Sequence, residues 1–336
     1  MKKIAILLVM FVSIFSCCLV GCGKKDNNTI RISEVTHSLF YAPLYVAMNK
    51  GYFEDEGLKI ELTNAGGSDT VMSSLISNSA DVGLMGPESC VYVRNNGMQN
   101  APVIFAQLTA CDGSFMVGRT DEGTNFSWEN LKGKHVIAGR KGGMPAMTLQ
   151  YILEEIKGLT TGAELGEGVD VKLDTTIAFN LTTSSFVAGT GDYCTMFDPT
   201  ASQCELDETG YIVAALGDEV KDVPYTCFVA TNKYLNNNGK KLDKFMRALK
   251  NGYNYLINAT DTQIIEALKP SFSTTSDELI LASVKNYIRI GAYASSFELK
   301  ESSWNNMLDI IDNAGELTNR VAWNDAVNNS FAVKVN

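Results

Sequence analysis

From Thr29 onward the apolar positions follow two periods, and the switching between them sets the expected order of elements. Residues 29–36 place Ile30 and Ile32 between polar neighbours, the two-residue period of a strand. Pro43 then precedes the apolar run Leu44, Tyr45, Val46, Ala47 and Met48. Proline suits the first turn of a helix, where the N–H it lacks would have no partner, so a helix is expected from there to about Gly51. A second strand is expected over 59–63, and 68–78 puts Val71, Met72, Leu75 and Ile76 on one face of a helix. Val82–Met85 reads as a short strand, Pro87 as the start of another helix, and 103–108 as a further strand.

A second series follows Phe115, with strands over 135–138, 169–173 and 193–197 and helices over 145–156, around 184–187 and from Pro199. The last third carries helical spacing over 242–257, 261–268, 277–290 and 301–311. Strands joined through single helices imply parallel βαβ units with helices over the sheet faces. The two series also echo one another. Ser73-Ser74-Leu75-Ile76 precedes Asp81-Val82-Gly83-Leu84-Met85, and Ser184-Ser185-Phe186-Val187 precedes Asp192-Tyr193-Cys194-Thr195-Met196, so both serines, the aspartate and the methionine recur at one constant offset. Two such α/β lobes facing each other would form a cleft at the carboxyl ends of their strands, where open α/β sheets gather ligands.

Composition removes several classes. A chain of 336 residues with 45% apolar and 20% charged residues has the make-up of a globular protein with room for two domains of about 150 residues. Its net charge of −10, with basic residues no denser than pairs such as Lys240-Lys241, gives nucleic acid no clustered cations to bind. Only His37 and His135 occur, which excludes a multi-histidine metal centre and gives poor support to a His-based triad. Cys90, Cys111, Cys194, Cys204 and Cys227 show no CxxC spacing and read as buried free thiols. Trp128, Trp304 and Trp323 read as packing residues.

The first segment reads as an address. Met1-Lys2-Lys3 precedes an apolar stretch over 4–20 and then Gly21-Cys22-Gly23-Lys24-Lys25, the basic, apolar and small-residue order of an export signal. The stretch is marginal for a spanning helix, which needs about 20 apolar residues. Leu19-Val20-Gly21-Cys22 resembles the bacterial lipobox, whose cysteine is lipidated and becomes the mature first residue. That resemblance implies a signal peptide over 1–21, a lipidated tether over 22–28 and a membrane anchored through Cys22 on the extracytoplasmic face. An uncleaved N-terminal anchor is the alternative.

Tyr41-Ala42-Pro43-Leu44-Tyr45-Val46-Ala47, Lys50-Gly51-Tyr52-Phe53 and Glu56-Gly57-Leu58 resemble the opening of the NMT1/THI5-like solute-binding proteins of ABC importers. The resemblance continues through Gly66-Gly67-Ser68, Ala80-Asp81-Val82-Gly83, Asn130-Leu131-Lys132-Gly133-Lys134 and Asp198-Pro199-Thr200. It implies an α/β, type II periplasmic-binding-protein fold, with two lobes of mixed sheet flanked by helices, a hinge and an interlobe cleft. Lobe one would comprise 29–112 plus 224–336 and lobe two 113–223, with 115–117 and 225–228 as crossovers. The implied partners are a small-molecule solute and a membrane permease, with the binding protein a monomer that needs no cofactor.

Candidate chemistry gathers in the strand-to-helix loops. Helix N-termini present unpaired N–H groups and favour anions or lone-pair acceptors. Gly139-Arg140-Lys141-Gly142-Gly143-Met144-Pro145 lets backbone approach a ligand, with Arg140 attracting a negative group; a glycine turn with solvated basic residues is the plainer alternative. The loop lacks the Walker spacing, so nucleotide hydrolysis is not indicated. Gly66, Gly67, Ser68, Gly86 and Glu88 are the corresponding positions of lobe one, Glu88 being either a ligand acceptor or a first-turn acid that stabilises its helix. Phe40, Tyr41 and Phe197 offer flat rings to a planar solute, although Phe40 and Tyr41 also suit a core. In thiamine-pyrimidine binders of the family an acid before a proline contacts the ligand; Asp198 stands at that position here and equally suits a helix cap. The reading is a non-enzymatic binding protein for a thiamine-pyrimidine-like or other nitrogenous heterocycle. The alternatives are a nitrate, sulfonate or taurine-type anion binder, an enzyme of the pyrimidine synthase type, or a surface lipoprotein with a structural role.

Overall fold

The computed structural model describes residues 28–335; the expected signal peptide and Cys22 lie outside the described residues. Among the described residues, eleven strands form two sheets. The first sheet has the order β2-β1-β3-β11-β4, from β1 (Thr29–Glu34), β2 (Lys59–Asn64), β3 (Val82–Met85), β4 (Val103–Thr109) and β11 (Thr226–Ala230). The second has the order β10-β5-β9-β6-β8-β7, from β5 (Ser114–Gly118), β6 (His135–Ile137), β7 (Thr161–Gly162), β8 (Val171–Asp174), β9 (Tyr193–Phe197) and β10 (Tyr211–Ala215). The chain passes from the first sheet to the second through 110–113 and returns through 216–225.

Both sheets are mixed. Strands reached through a helix run parallel, as in Ile32 opposite Val82 and Val136 opposite Tyr193. Strands that enter directly from the other sheet run antiparallel, as in Cys227 opposite Met85 and Phe115 opposite Met196. Thus the segments expected as crossovers, 115–117 and 225–228, lie largely inside β5 and β11, where all five residues of each strand are buried. β10 has no counterpart in the sequence reading: its residues 211–214 are half-exposed, so no clean alternation marks them. The helix expected over 145–156 is α-helical only over Met144–Tyr151 and closes in a wider π turn over Ile152–Ile156.

The sequence echo has a structural counterpart. The amide of Arg31 in β1 donates to Asp81 Oδ2 (3.0 Å), and the Asp81 amide donates to the Arg31 carbonyl (2.9 Å). In the other sheet His135 N donates to Asp192 Oδ2 (2.8 Å), and Asp192 N donates to the His135 carbonyl (2.7 Å). Each aspartate closes the turn that feeds the strand after its helix, β3 or β9, and fixes that strand beside its parallel neighbour.

The long helix Gly239–Asn258 buries Leu242, Phe245, Met246, Leu249 and Leu256 and crosses the helix Ala42–Asn49. Gly252 permits that crossing, because a Cβ there would stand 2.3 Å from the Pro43 carbonyl oxygen. Trp304 is fully buried, with Nε1 donating to the Val321 carbonyl, and Trp128 Nε1 donates to Glu219, which agrees with packing roles. The five described cysteines are buried thiols.

Candidate functional site

The loops that leave the carboxyl ends of parallel strands in both sheets converge on one cavity of about 250 Å³. β1 leads to Val35 and Thr36, β2 to Gly66–Thr70, and β3 to Gly86 and Glu88; from the second sheet, β6 leads to Arg140 and 143–145, β8 to 178–180, and β9 ends at Phe197. Tyr225 and Thr226, where the chain re-enters the first sheet, complete the lining. Gathering of this kind at the carboxyl edge of parallel strands is the usual location of ligand sites in α/β folds.

Three helices begin at the cavity: Ser68–Ile76, Glu88–Asn95 and Met144–Tyr151. Their N-cap residues are Gly67, Pro87 and Gly143, and none contributes a capping side chain to the first-turn amides. The cavity rim therefore carries the positive ends of three helix dipoles from both sheets.

Glu88 is the principal polar group of the interior. It is only 4% exposed, and burial pushes its carboxyl up to about 7, against the opposing pull of the Arg140 charge. Its carboxylate folds back over Gly86, where a Cβ would stand 2.0 Å from Oε2, so glycine is the residue that leaves room for it. Oε2 is buried without a hydrogen-bond partner. A buried acceptor in that state is stabilised by any guest that brings it a donor.

Aromatic rings form much of the remaining wall. Tyr41, Phe179, Phe197 and Tyr225 line the cavity, with Phe179 edge-on to Phe197 at a ring separation of 5.6 Å. The Tyr41 hydroxyl interacts with Thr226, and burial raises its pKa. Arg140 also lines the cavity, but its Nη1 donates to Asp69 Oδ1 at 3.1 Å, so its charge is shared with a carboxylate of the opposite rim.

Ten of the residues singled out from the sequence meet at this cavity: Tyr41, Gly66, Gly67, Ser68, Gly86, Glu88, Arg140, Gly143, Met144 and Phe197. Three do not. Phe40 lies beneath the floor, 1% exposed, with its ring 5.0 Å from Tyr287 and 5.3 Å from Phe197. Gly142 turns away from the cavity in a left-handed conformation, φ +71, and its carbonyl accepts from the Tyr92 hydroxyl of the other half. Asp198 is fully buried: Oδ1 accepts from the Ser202 amide and hydroxyl (2.9 and 2.8 Å) and Oδ2 from Asn286 (2.9 Å). Its carboxylate thus fastens the start of the helix Thr200–Leu206, the capping alternative, instead of reaching a ligand.

Lining residues not expected from the sequence as ligand contacts include Asp69, Phe179, Asn180 and Tyr225. Phe179 and Asn180 follow β8 as Gly143 follows β6, so the rule that these loops collect at the cleft would have found them. Asp69 gave no signal, being an acid in an exposed first turn.

The NMT1/THI5 like family model matches residues 40–262, a span that runs from Phe40 through both sheets. The chain belongs to the NMT1/THI5-like family. Within its wider neighbourhood is the Bacillus subtilis (strain 168) protein named "Putative binding protein YtlA", 37% identical over 318 residues that cover 94% of this chain and 93% of that one. This NMT1/THI5-like chain is also 25% identical, over 228 residues, to a 4-amino-5-hydroxymethyl-2-methylpyrimidine phosphate synthase of Aspergillus parasiticus, covering 65% of this chain and 63% of the synthase. Among solved structures, the periplasmic nitrate-binding protein NrtA of Synechocystis PCC 6803 superposes with a TM-score of 0.71 at 15% identity, over 92% of this chain and 88% of that one. At that identity the likeness is one of fold, and the fold is that of the periplasmic binding proteins.

Proposed function

We propose that this protein is the extracytoplasmic solute-capturing component of an ABC importer, and that its solute is a small planar nitrogenous heterocycle carrying N–H donors. The observation that carries the ligand class is Glu88 Oε2, a buried acceptor without a partner among aromatic walls. An amino or ring N–H group would satisfy that oxygen, and the rings of Tyr41, Phe179 and Phe197 offer faces and edges to a flat guest. The role of capture for import rests on family membership and on the fold shared with binding proteins such as NrtA.

A nitrate- or sulfonate-type anion fits these groups less well. The charged side chains of the lining are Asp69, Glu88 and Arg140, and the one cation is already paired with Asp69. Catalysis of the synthase type finds no histidine in the lining, since neither His37 nor His135 contributes to it. In this reading 29–112 with 224–336 forms one lobe and 113–223 the other. The lobes close by bending at the two connections, and the closed form docks on a permease while Cys22 holds the protein at the membrane. Closure is favoured only to the extent that solute binds the closed state more tightly.

Native mass spectrometry of the protein purified from its own host tests the reading. A co-purifying heterocycle of a few hundred daltons or less is expected, released on denaturation; an inorganic oxyanion or a sulfonate in its place would overturn the ligand class.

A further inference from the structure

Asp198 directly follows β9, in the second sheet, yet most of what holds it comes from the other half of the molecule. Its amide donates to the Tyr287 hydroxyl at 2.8 Å. Its carbonyl accepts from Ser38 Oγ at 2.7 Å and from the Tyr287 hydroxyl at 3.3 Å. Oδ2 accepts from Asn286 Nδ2 at 2.9 Å, and only Oδ1 is served locally, by Ser202. Ser38 lies in the loop after β1, and Asn286 and Tyr287 lie near the end of the helix Asp277–Arg289, reached after the chain has returned to the first sheet. Asp198, Ser38 and Tyr287 are all buried, so slippage at this point would leave polar groups without partners and without water.

This grip sits beside both connections between the sheets. Phe197 pairs with Ser114, the first residue of β5 after the connection 110–113. Arg289 Nη1, from the end of the same helix, lies 2.8 Å from Asp218 Oδ2 in the connection 216–225, and Lys221 Nζ donates to the Ile290 carbonyl at 3.2 Å. The chain then runs along the first connection, with Ala110 N donating to the Ala292 carbonyl (2.9 Å) and Ala294 N to the Leu108 carbonyl (3.0 Å). The two connections meet at Gly217, where a Cβ would stand 2.3 Å from the Asp112 carbonyl oxygen. Groups nearest a hinge travel least when two bodies turn on it, so bonds made there can persist in both states.

We propose that Asp198, held by Ser38, Asn286 and Tyr287, is a third, non-covalent connection between the halves, that it fixes the axis on which they turn, and that it is a positioning residue setting Phe197 in the cavity wall. The axis stands on the geometry alone; the positioning for capture rests on the solute-binding reading above.

Amide hydrogen exchange of the solute-free full chain tests the axis. The Asp198 amide is expected to be protected as well as the amides of β9, because a bond at the pivot does not open with the cleft. Exchange as fast as that of an exposed loop would make the contact a latch of one state and overturn the proposal. Tyr287→Phe removes the hydroxyl that bonds the Asp198 amide and carbonyl, and Asn286→Leu removes the donor to Oδ2. Each is expected to quicken exchange about tenfold in 110–113 and 216–225, although neither residue lies in those segments. Acceleration confined to 198–206 and 277–289 would reduce the contact to a local tie and overturn the axis. Exchanging the partners, Asp198→Asn with Asn286→Asp, keeps a donor opposite an acceptor and is expected to bring exchange within about twofold of the unaltered protein. A pair as fast as Asn286→Leu would contradict the assigned bond, and if Asn286→Leu does not fold, Tyr287→Phe decides the axis. Affinity for 4-amino-5-hydroxymethyl-2-methylpyrimidine is expected to fall about tenfold in Tyr287→Phe, and unchanged affinity beside quickened exchange would overturn the positioning of Phe197. Failure of that pyrimidine to bind the unaltered protein would count against the ligand class, while the exchange measurements, which use no solute, still decide the axis.

Discussion

Arg140 Nη1 lies 3.1 Å from Asp69 Oδ1, an ion pair between the loop after β6 and the first turn of the helix Ser68–Ile76, so it spans the cavity from one sheet to the other. Two further links lie beside it: the Tyr92 hydroxyl donates to the Gly142 carbonyl at 2.9 Å, and Lys141 Nζ lies 3.3 Å from Glu316. The pair is well exposed, 50% on Arg140 and 67% on Asp69, and such pairs contribute little to folding. In the proposed capture cycle its leverage is on the closed state. Asp69→Asn is expected to shorten solute residence by about two- to fivefold, with the melting temperature unchanged and the difference fading in high salt. Stopped-flow dissociation at low and high salt reads both effects.

Glu88 gives opposite pH dependences for stability and for binding. Its carboxyl is raised from an ordinary 4.5 to about 7 by burial, so the folded chain holds that proton more tightly than the unfolded chain does. The contribution is complete below about pH 4.5 and is lost as pH rises through about 7. Glu88→Gln removes this loss, so the solute-free variant is expected to melt about 2–4 °C above the wild type at pH 8 and no higher at pH 4.5. A guest that donates to the ionised carboxylate, by contrast, should bind the wild type more tightly as pH rises through that range. Calorimetric melting scans across the range check the first expectation, and titrations with solute check the second.

Phe40 tests the distinction between wall and foundation. It packs on Tyr41, Phe197, Tyr225 and Tyr287, and a Cβ on Gly113 would enter its ring at 2.5 Å. Phe40→Ala is expected to destabilise the fold by about 3–5 kcal/mol, the usual cost of truncating a buried phenylalanine. Urea unfolding measures it; a loss of solute affinity at unchanged stability would place the ring in the cavity instead.

His37 is charged in the geometry observed. Nδ1 faces Glu34 Oε1 at 3.0 Å and Nε2 faces the Ser271 carbonyl at 2.9 Å, and two acceptors require two N–H donors. Its pKa is raised, first by the bond to Glu34 and also by that to Ser271, against the cost of burial. The stabilisation is therefore complete below the ordinary value of 6.5 and is lost as pH rises through the higher folded value. His37→Ala is expected to cost about 1 kcal/mol at pH 6, reduced from the usual range for charged hydrogen bonds because the ring is 38% exposed, and less at pH 9. Urea unfolding at the two pH values measures the difference.

Much of this architecture is legible in the chain because local signals and tertiary placement agree. Pro43 sits in the first turn of its helix, and the echoed Asp81 and Asp192 occupy equivalent turns in the two sheets. The loops chosen by their glycines, 66–68 and 143–144, reach the cavity because strand polarity sends them there. What the sequence could not resolve was direction. Phe40 and Tyr41 are neighbours of the same chemistry, yet one ring enters the floor and the other the cavity, which depends on the short 3-10 turn Leu39–Tyr41. Asp198 bears the same ambiguity, settled by Ser202 and Asn286, the latter from a helix 88 residues farther along. β10 escaped notice because its exposed edge lacks the alternation that a buried face imposes.

The most direct measurement is a calorimetric titration of 4-amino-5-hydroxymethyl-2-methylpyrimidine into the protein and into Glu88→Gln, beside nitrate and an alkanesulfonate. Expected is one saturable site for the pyrimidine, weakened at least about tenfold in the variant, with no heat from either anion. Saturable binding of nitrate or the sulfonate, unaffected by Glu88→Gln, with the pyrimidine inert, would contradict it.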